Sequence, residues 1–246
     1  MLPFILTSLA GLSTLLGSLL IFLKIKPNKI IYFSLAFAAG IMLSVSFFDL
    51  IPVAINYLSN TVVYKNKIFI IILIYLIIGI IIIHLLNIKI SKKFKQNELY
   101  NAGIFSFITM ILHNIPEGII TYITSSENLT LGITITIAIA MHNIPEGMSI
   151  AVPIFYSKKS KKKALLYTLV AALSEPFGAL FTFLILKPFI NEQIIAILLI
   201  IVAGIMIYIS FFKLLNLALK YEKSYKTIVS LSLGILFVIL SILIFN

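Results

Sequence analysis

The sequence predicts an all-α protein that crosses a membrane eight times. Its 246 residues are 61% hydrophobic, and their mean hydropathy is +1.16. Residues 68–88 carry no ionised side chain, and about 20 apolar residues are enough for a helix to cross the hydrocarbon of a bilayer. A helix also satisfies its own backbone hydrogen bonds in lipid. The short alternating segments of a transmembrane β-barrel do not occur in the sequence.

Eight apolar segments have the required length, and lysines separate them. The predicted spans are residues 3–23, 30–57, 68–88, 100–125, 129–155, 164–186, 193–217 and 227–245. All 19 basic residues are lysine, and the net charge is +11. With the N-terminus outside, the cytoplasmic loops carry 15 lysines and the outer loops carry 3. This bias predicts that both termini lie outside, and lysines in such loops indicate contact with lipid headgroups and no nucleic-acid partner.

Internal similarity predicts an inverted repeat. AAGIMLSVSFFDLIP (38–52, span 2) matches VAGIMIYISFFKLLN (202–216, span 7) at 8 of 15 positions. LSTLLGSLL (12–20, span 1) is more weakly similar to LSEPFGALF (173–181, span 6), and spans 4 and 5 share a hexapeptide. Paired spans are an odd number apart, so they run in opposite directions. We therefore expect one transmembrane domain, 1–246, in which spans 1–3 and 6–8 repeat around spans 4 and 5.

The shared hexapeptide, HNIPEG, places polar side chains at mid-membrane. It begins at His113 and again at His142, 29 positions later. Each histidine is about 13 residues into its span, near the bilayer centre. Each glutamate follows its histidine by four residues and shares its helix face, and each asparagine lies about 100° around the helix. The six residues are His113, Asn114, Glu117, His142, Asn143 and Glu146.

A third carboxylate, Glu175 in ALSEPFG, is predicted at a similar depth in span 6. A carboxylate at the bilayer centre costs at least about 2.5–3.5 kcal/mol. The only basic residue inside a span is Lys213, near the opposite end of its helix. A divalent cation is therefore the economical counter-charge. Carboxylate and imidazole ligands suit zinc, iron and manganese, whereas magnesium and calcium prefer oxygen alone.

These features together resemble the ZIP (Zrt/Irt-like) divalent metal transporters, chiefly their bacterial and GufA-type members. The resemblance implies a prokaryotic plasma membrane location, a possible homodimer, and a bundle of spans 1, 4, 5 and 6 that slides against the other spans. It also implies a binuclear site. One metal would be held by His113, Glu117, His142 and Glu146, and the second by Asn114, Asn143 and Glu175, with Glu117 and Glu146 bridging.

The resemblance also suggests residues for metal entry and exit. Asp49 falls near the outer end of span 2, and Met42 and Ser46 precede it by seven and three residues. The alternatives are a solvated helix-end charge for Asp49 and core packing for Met42. Lys213 stands where many family members have glutamate; it either occupies the exit or extends its ammonium to the interface. His84 in span 3 is expected to make a hydrogen bond between helices.

The leading function is a secondary transporter that imports divalent transition-metal ions. Zinc is the first candidate, and iron, manganese, cobalt and cadmium fit the same ligands. The metal is cargo, and no catalytic cofactor is expected. The first alternative is an intramembrane metalloenzyme such as a zinc hydrolase or protease, although the sequence lacks His-Glu-x-x-His. The second is a structural subunit that binds metal without transporting it.

Overall fold

The computed structural model describes residues 1–62, 64–93, 97–186 and 188–245. Within these ranges it contains eight helices that are long and apolar enough to cross a membrane, which confirms the predicted all-α architecture. Lys95 and Lys187, which the charge count included, lie outside the described residues. The helices are α1 (Leu2–Phe22), α2 (Pro27–Thr61), α3 (Lys65–Lys92), α4 (Glu98–Glu127), α5 (Leu129–Lys158), α6 (Lys161–Leu186), α7 (Glu192–Tyr221) and α8 (Tyr225–Ile244).

Side-chain caps fix where four of these helices begin. Each capping oxygen accepts a hydrogen bond from a backbone N–H in the first turn, which would otherwise have no partner in the helix. Asn128 alone separates α4 from α5, so these two helices run antiparallel with their hexapeptides side by side. The caps are Asn97, Asn128, Ser160 and Asn191.

Helices α1 and α5 pack backbone against backbone through two glycines. Gly17 of α1 faces the carbonyl oxygen of Ile144, and Gly147 of α5 faces the carbonyl oxygen of Thr14. A Cβ at either glycine would overlap that oxygen, so only glycine allows the helices to approach this closely. The contact holds the second hexapeptide at a fixed distance from α1.

Helices α4 and α6 pack against each other in the same way. Gly118 faces the carbonyl oxygen of Glu175, and Gly178 faces the carbonyl oxygen of Ile115. The four glycine contacts pair α1 with α5 and α4 with α6. Because α4 also packs on α5, the four helices form one bundle, which is the set of spans that the resemblance grouped together. Three of its members carry the candidate metal ligands.

The remaining helices form a second bundle in which α2 packs on α8 and α7 packs on α3. Gly40 of α2 faces the carbonyl of Leu231, and Gly204 of α7 faces the carbonyl of Leu76. Gly40 and Gly204 are aligned positions of the sequence repeat, so both halves use the same glycine for the same purpose. The two bundles meet mainly where α2 contacts α5 and where α7 contacts α4. The inverted orientation of the halves and the outward termini stay predictions.

Both aligned helices also contain a π-helical turn at the same place. The turns cover Ser46–Leu50 in α2 and Ser210–Leu215 in α7, and each begins with Ser-Phe-Phe. A π turn holds an extra residue and is frequent at functional sites. The residues aligned in these turns are Asp49 and Lys213, which carry opposite charges.

Adding a methyl group at Gly17 should destabilise the protein. Alanine normally stabilises a helix relative to glycine by about 1 kcal/mol, but here its Cβ would overlap the Ile144 carbonyl. We expect Gly17→Ala to lower the free energy of unfolding by about 1–3 kcal/mol, measured as thermal unfolding in detergent. The control is Leu16→Phe. It adds more volume than Gly17→Ala does, but at the neighbouring position, where the side chain is exposed. Equal stability of Gly17→Ala and the wild type would refute the close packing.

Candidate metal centre

The two hexapeptides meet through imidazole–carboxylate pairs that cross between α4 and α5. His113 Nε2 lies 2.9 Å from Glu146 Oε2, which is hydrogen-bond distance, and His142 Nε2 lies 3.6 Å from Glu117 Oε1. All four side chains are buried. Because the helices are antiparallel and carry the same motif, the histidine of one stands level with the glutamate of the other. Each histidine therefore contacts the glutamate of the other helix, and it lies on the same helix face as the glutamate of its own motif.

The asparagines and Glu175 form a second group beside these pairs. Asn143 Nδ2 donates to Glu175 Oε2 at 2.8 Å and to the Ala10 carbonyl at 3.1 Å. Asn114 Nδ2 donates to the Ala171 carbonyl at 3.3 Å. Both asparagines and Glu175 are fully buried. All seven predicted ligands therefore lie together, on three adjoining helices.

Many oxygens of this cluster have no hydrogen-bond partner. A buried polar atom without a partner costs about 1–3 kcal/mol, and several such atoms together indicate a ligand-binding site. Among the described residues, no three acidic, histidine or cysteine side chains already surround a common point as metal ligands. The unpartnered oxygens are Asn114 Oδ1, both of Glu117, Asn143 Oδ1, Glu146 Oε1 and Glu175 Oε1.

The residues suggested for the outer path differ in their surroundings. Asp49 is partly exposed and lies within electrostatic range of His142 and Glu117. Met42 is fully buried in the apolar core, and its carbonyl accepts a hydrogen bond from the Ser46 hydroxyl at 2.8 Å. A spacing of seven residues would place Met42 and Asp49 on one face of a regular α-helix, but the π turn Ser46–Leu50 changes the helical phase between them. Asp49 is thus the ionisable group of this set that lies near the cluster.

Lys213 lies at the other end of the protein, beside a cavity of about 270 Å³ between α3, α4 and α7. Its ammonium donates to Ser91 Oγ at 3.3 Å and Asn101 Oδ1 at 3.5 Å. Nearby, Lys220 Nζ contacts both carboxylate oxygens of Glu98 at 2.7 and 2.8 Å. Of these two ammonium groups, only that of Lys220 forms an ion pair within the described part of the chain.

His84 lies outside the cluster. Its Nδ1 is 3.0 Å from the Tyr208 hydroxyl, which also accepts from Asn87 Nδ2 at 3.0 Å. These contacts join α3 to α7. The prediction of a hydrogen bond between helices at His84 is confirmed.

Comparison with known proteins places these features in a family. The family model described as ZIP Zinc transporter matches residues 89–243. Three curated relatives are each called zinc transporter ZupT. The relative from Streptococcus mutans is 36% identical over 98% of this chain and 97% of its own length. The relative from Clostridium perfringens is 35% identical over 100% and 96%, and that from Chlorobium limicola 38% over 93% and 92%.

Eight membrane-spanning helices and a buried cluster of imidazole, carboxamide and carboxylate groups are the features of a membrane protein that binds or transports metal ions. The chain belongs to the ZIP zinc transporter family. It is an integral protein of a prokaryotic plasma membrane. The members of this family are transporters and not enzymes, which decides against the intramembrane metalloenzyme.

The two asparagines should differ in how much stability they supply. Asn143→Ala removes donors to a buried carboxylate and a carbonyl, whereas Asn114→Ala removes one longer bond to a carbonyl. A hydrogen bond contributes about 0.5–1.5 kcal/mol, so the loss of two shorter bonds should outweigh the loss of one, and we expect Asn143→Ala to unfold at a lower temperature than Asn114→Ala. The measurement is thermal unfolding in detergent with a chelator present. A larger loss for Asn114→Ala would contradict the described pairing.

Proposed function

We propose that this protein imports divalent transition-metal ions into the cytoplasm, with zinc as the main substrate. Family membership and the zinc transporters among its relatives support the proposal. The observation that carries it is the set of buried, unpartnered carboxylate and carboxamide oxygens beside two imidazoles. A cation that enters this cluster can bind carboxylate, carboxamide and imidazole groups at once. No other group of the described residues offers this combination.

We assign two metal positions to the cluster. The first is formed by the four side chains that pair across α4 and α5, because an ion between them exchanges each imidazole–carboxylate contact for two metal bonds. Binding at this position releases any proton that the pair holds, so affinity falls at low pH. The second position lies beside it, with Glu117 and Glu146 bridging. Its own ligands are Asn114, Asn143 and Glu175.

The donor set also admits metals other than zinc. Imidazole and carboxylate bind ferrous iron, manganese, cobalt and cadmium, and geometry and availability select among them more than affinity does. We propose these ions as secondary substrates. Three further features complete the proposal. They are the outward termini that the lysine bias predicts, the single domain over 1–246 that the internal repeat predicts, and the homodimer that the resemblance implies.

Removing the first position should abolish transport. We expect His142→Ala plus Glu146→Ala to lose nearly all zinc uptake into liposomes that contain purified protein, because the first position then keeps one imidazole and one carboxylate. The control is His84→Gln, which alters the histidine between α3 and α7 and lies outside the cluster. Uptake by the double variant at the wild-type rate would overturn the proposed function.

Lys213 should weaken zinc binding from the cytoplasmic side. Its ammonium has no carboxylate partner in the described part of the chain and lines the cavity there, so it repels an ion that re-enters from the inside. We expect Lys213→Met to make uptake more sensitive to zinc loaded inside the liposomes, with little change in the initial rate from outside. The readout is the concentration of internal zinc that halves uptake.

The control for this experiment is Lys220→Met. The Lys220 ammonium lines the same cavity, but Glu98 already neutralises it. Its removal also subtracts one positive charge, but the Lys220 and Glu98 side chains are 59% and 64% exposed, so solvent screens the change and the effect on uptake should be smaller. Equal effects of the two variants would show that the unpaired charge of Lys213 has no special role.

A further inference from the structure

The hydroxyl of Thr14 in α1 stands apart from every other buried threonine in the described part of the chain. Thr14 is 0% exposed, and its Oγ1 has no hydrogen-bond partner. A threonine buried in a helix usually donates to a carbonyl of the preceding turn. The other buried threonines all donate to a backbone carbonyl: Thr7, Thr109, Thr121, Thr136, Thr168, Thr182 and Thr227.

The usual acceptor for Thr14 is already occupied. The carbonyl four residues earlier, at Ala10, accepts from the Ser13 hydroxyl at 2.6 Å and from Asn143 Nδ2 at 3.1 Å. Because Ala10 lies within the helix, its carbonyl also accepts the backbone N–H of Thr14, so its two lone pairs leave no capacity for the Thr14 hydroxyl. The ligand asparagine itself thus displaces the Thr14 hydroxyl from its ordinary bond.

Thr14 occupies the place in α1 that Glu175 occupies in α6. The two residues align in LSTLLG and LSEPFG. The Thr14 carbonyl faces Gly147 as the Glu175 carbonyl faces Gly118. The residues four positions before them, Ala10 and Ala171, accept from the asparagines of α5 and α4 in the same way. The hydroxyl and the carboxylate are therefore counterparts on either side of the hexapeptides.

The face of α1 that carries Thr14 also reaches Glu175. Gly11, one turn before Thr14, lies so close to α6 that a Cβ on it would be 2.9 Å from the Glu175 Cβ. Asn143 bonds both to α1 at Ala10 and to Glu175. Thr14 thus lies on the face of α1 that contacts both Asn143 and Glu175, and its Oγ1, Asn143 Oδ1 and Glu175 Oε1 are all without a hydrogen-bond partner.

We propose that Thr14 Oγ1 is a ligand of the second metal position, opposite Glu175. The inference rests on the proposed function, since it adds a residue to the same site. With Thr14 included, the ligands specific to this position are all oxygens and only Glu175 among them is charged. A neutral hydroxyl in place of a second carboxylate keeps the affinity of this position below that of the first. An ion held there dissociates more readily.

The test is zinc binding by titration calorimetry on purified protein, together with uptake into liposomes. Thr14→Val keeps the side-chain shape and removes the oxygen. We expect it to weaken the weaker of the two zinc sites about tenfold and to slow uptake. Its thermal stability in chelator should equal or exceed that of the wild type, because a buried unpartnered hydroxyl is gone. Thr14→Ser, which restores the hydroxyl, should bind zinc within about twofold of the wild type.

The matched control is Thr7→Val on the same helix, because Thr7 is equally buried but donates to the Pro3 carbonyl at 2.9 Å. This variant should lose stability and keep zinc affinity. Wild-type zinc binding by Thr14→Val, or equal impairment of Thr14→Val and Thr14→Ser, would overturn the inference. Failure of the wild type to take up zinc would instead overturn the proposed function, and the binding titration would still decide the role of Thr14.

Discussion

Carboxylates buried halfway across a membrane need a positive or hydrogen-bonding partner, and this constraint organises the structure. The protein meets it by placing two copies of one motif on adjacent antiparallel helices. His113 of one helix then faces Glu146 of the other, while Asn143 binds Glu175 and so connects α6 to the same cluster. These contacts satisfy only some of the buried oxygens, and the remainder are the donors that a divalent ion would use.

The cluster stays in register because glycines allow α1 and α6 to touch α5 and α4 directly. Gly147 and Gly118 immediately follow the glutamates of the two motifs and face backbone carbonyls of the neighbouring helices. Any larger residue would push the helices apart by more than a hydrogen bond tolerates. Each motif therefore supplies a glutamate that is a candidate metal ligand and a glycine that sets the distance to the neighbouring helix.

The eight spans were predictable because an apolar run flanked by lysine has one stable state in lipid, and the buried polar cluster was predictable because the hexapeptide recurs at mid-span. Three features were not. The pairing of His113 with Glu146 depends on the distance between helices, which periodicity does not give. The π turns depend on packing between α2 and α7. The unpartnered hydroxyl of Thr14 follows from a contact of Asn143 with Ala10, although its alignment with Glu175 was visible in the repeat.

The matching π turns of α2 and α7 each store one surplus residue in an otherwise regular helix. If such a turn relaxes to α geometry, the surplus moves along the axis, and the helix beyond it advances by about 1.5 Å and rotates by about 100°. Asp49 and Lys213 sit on these turns. Such a relaxation would rotate both charged side chains relative to the helices that surround them.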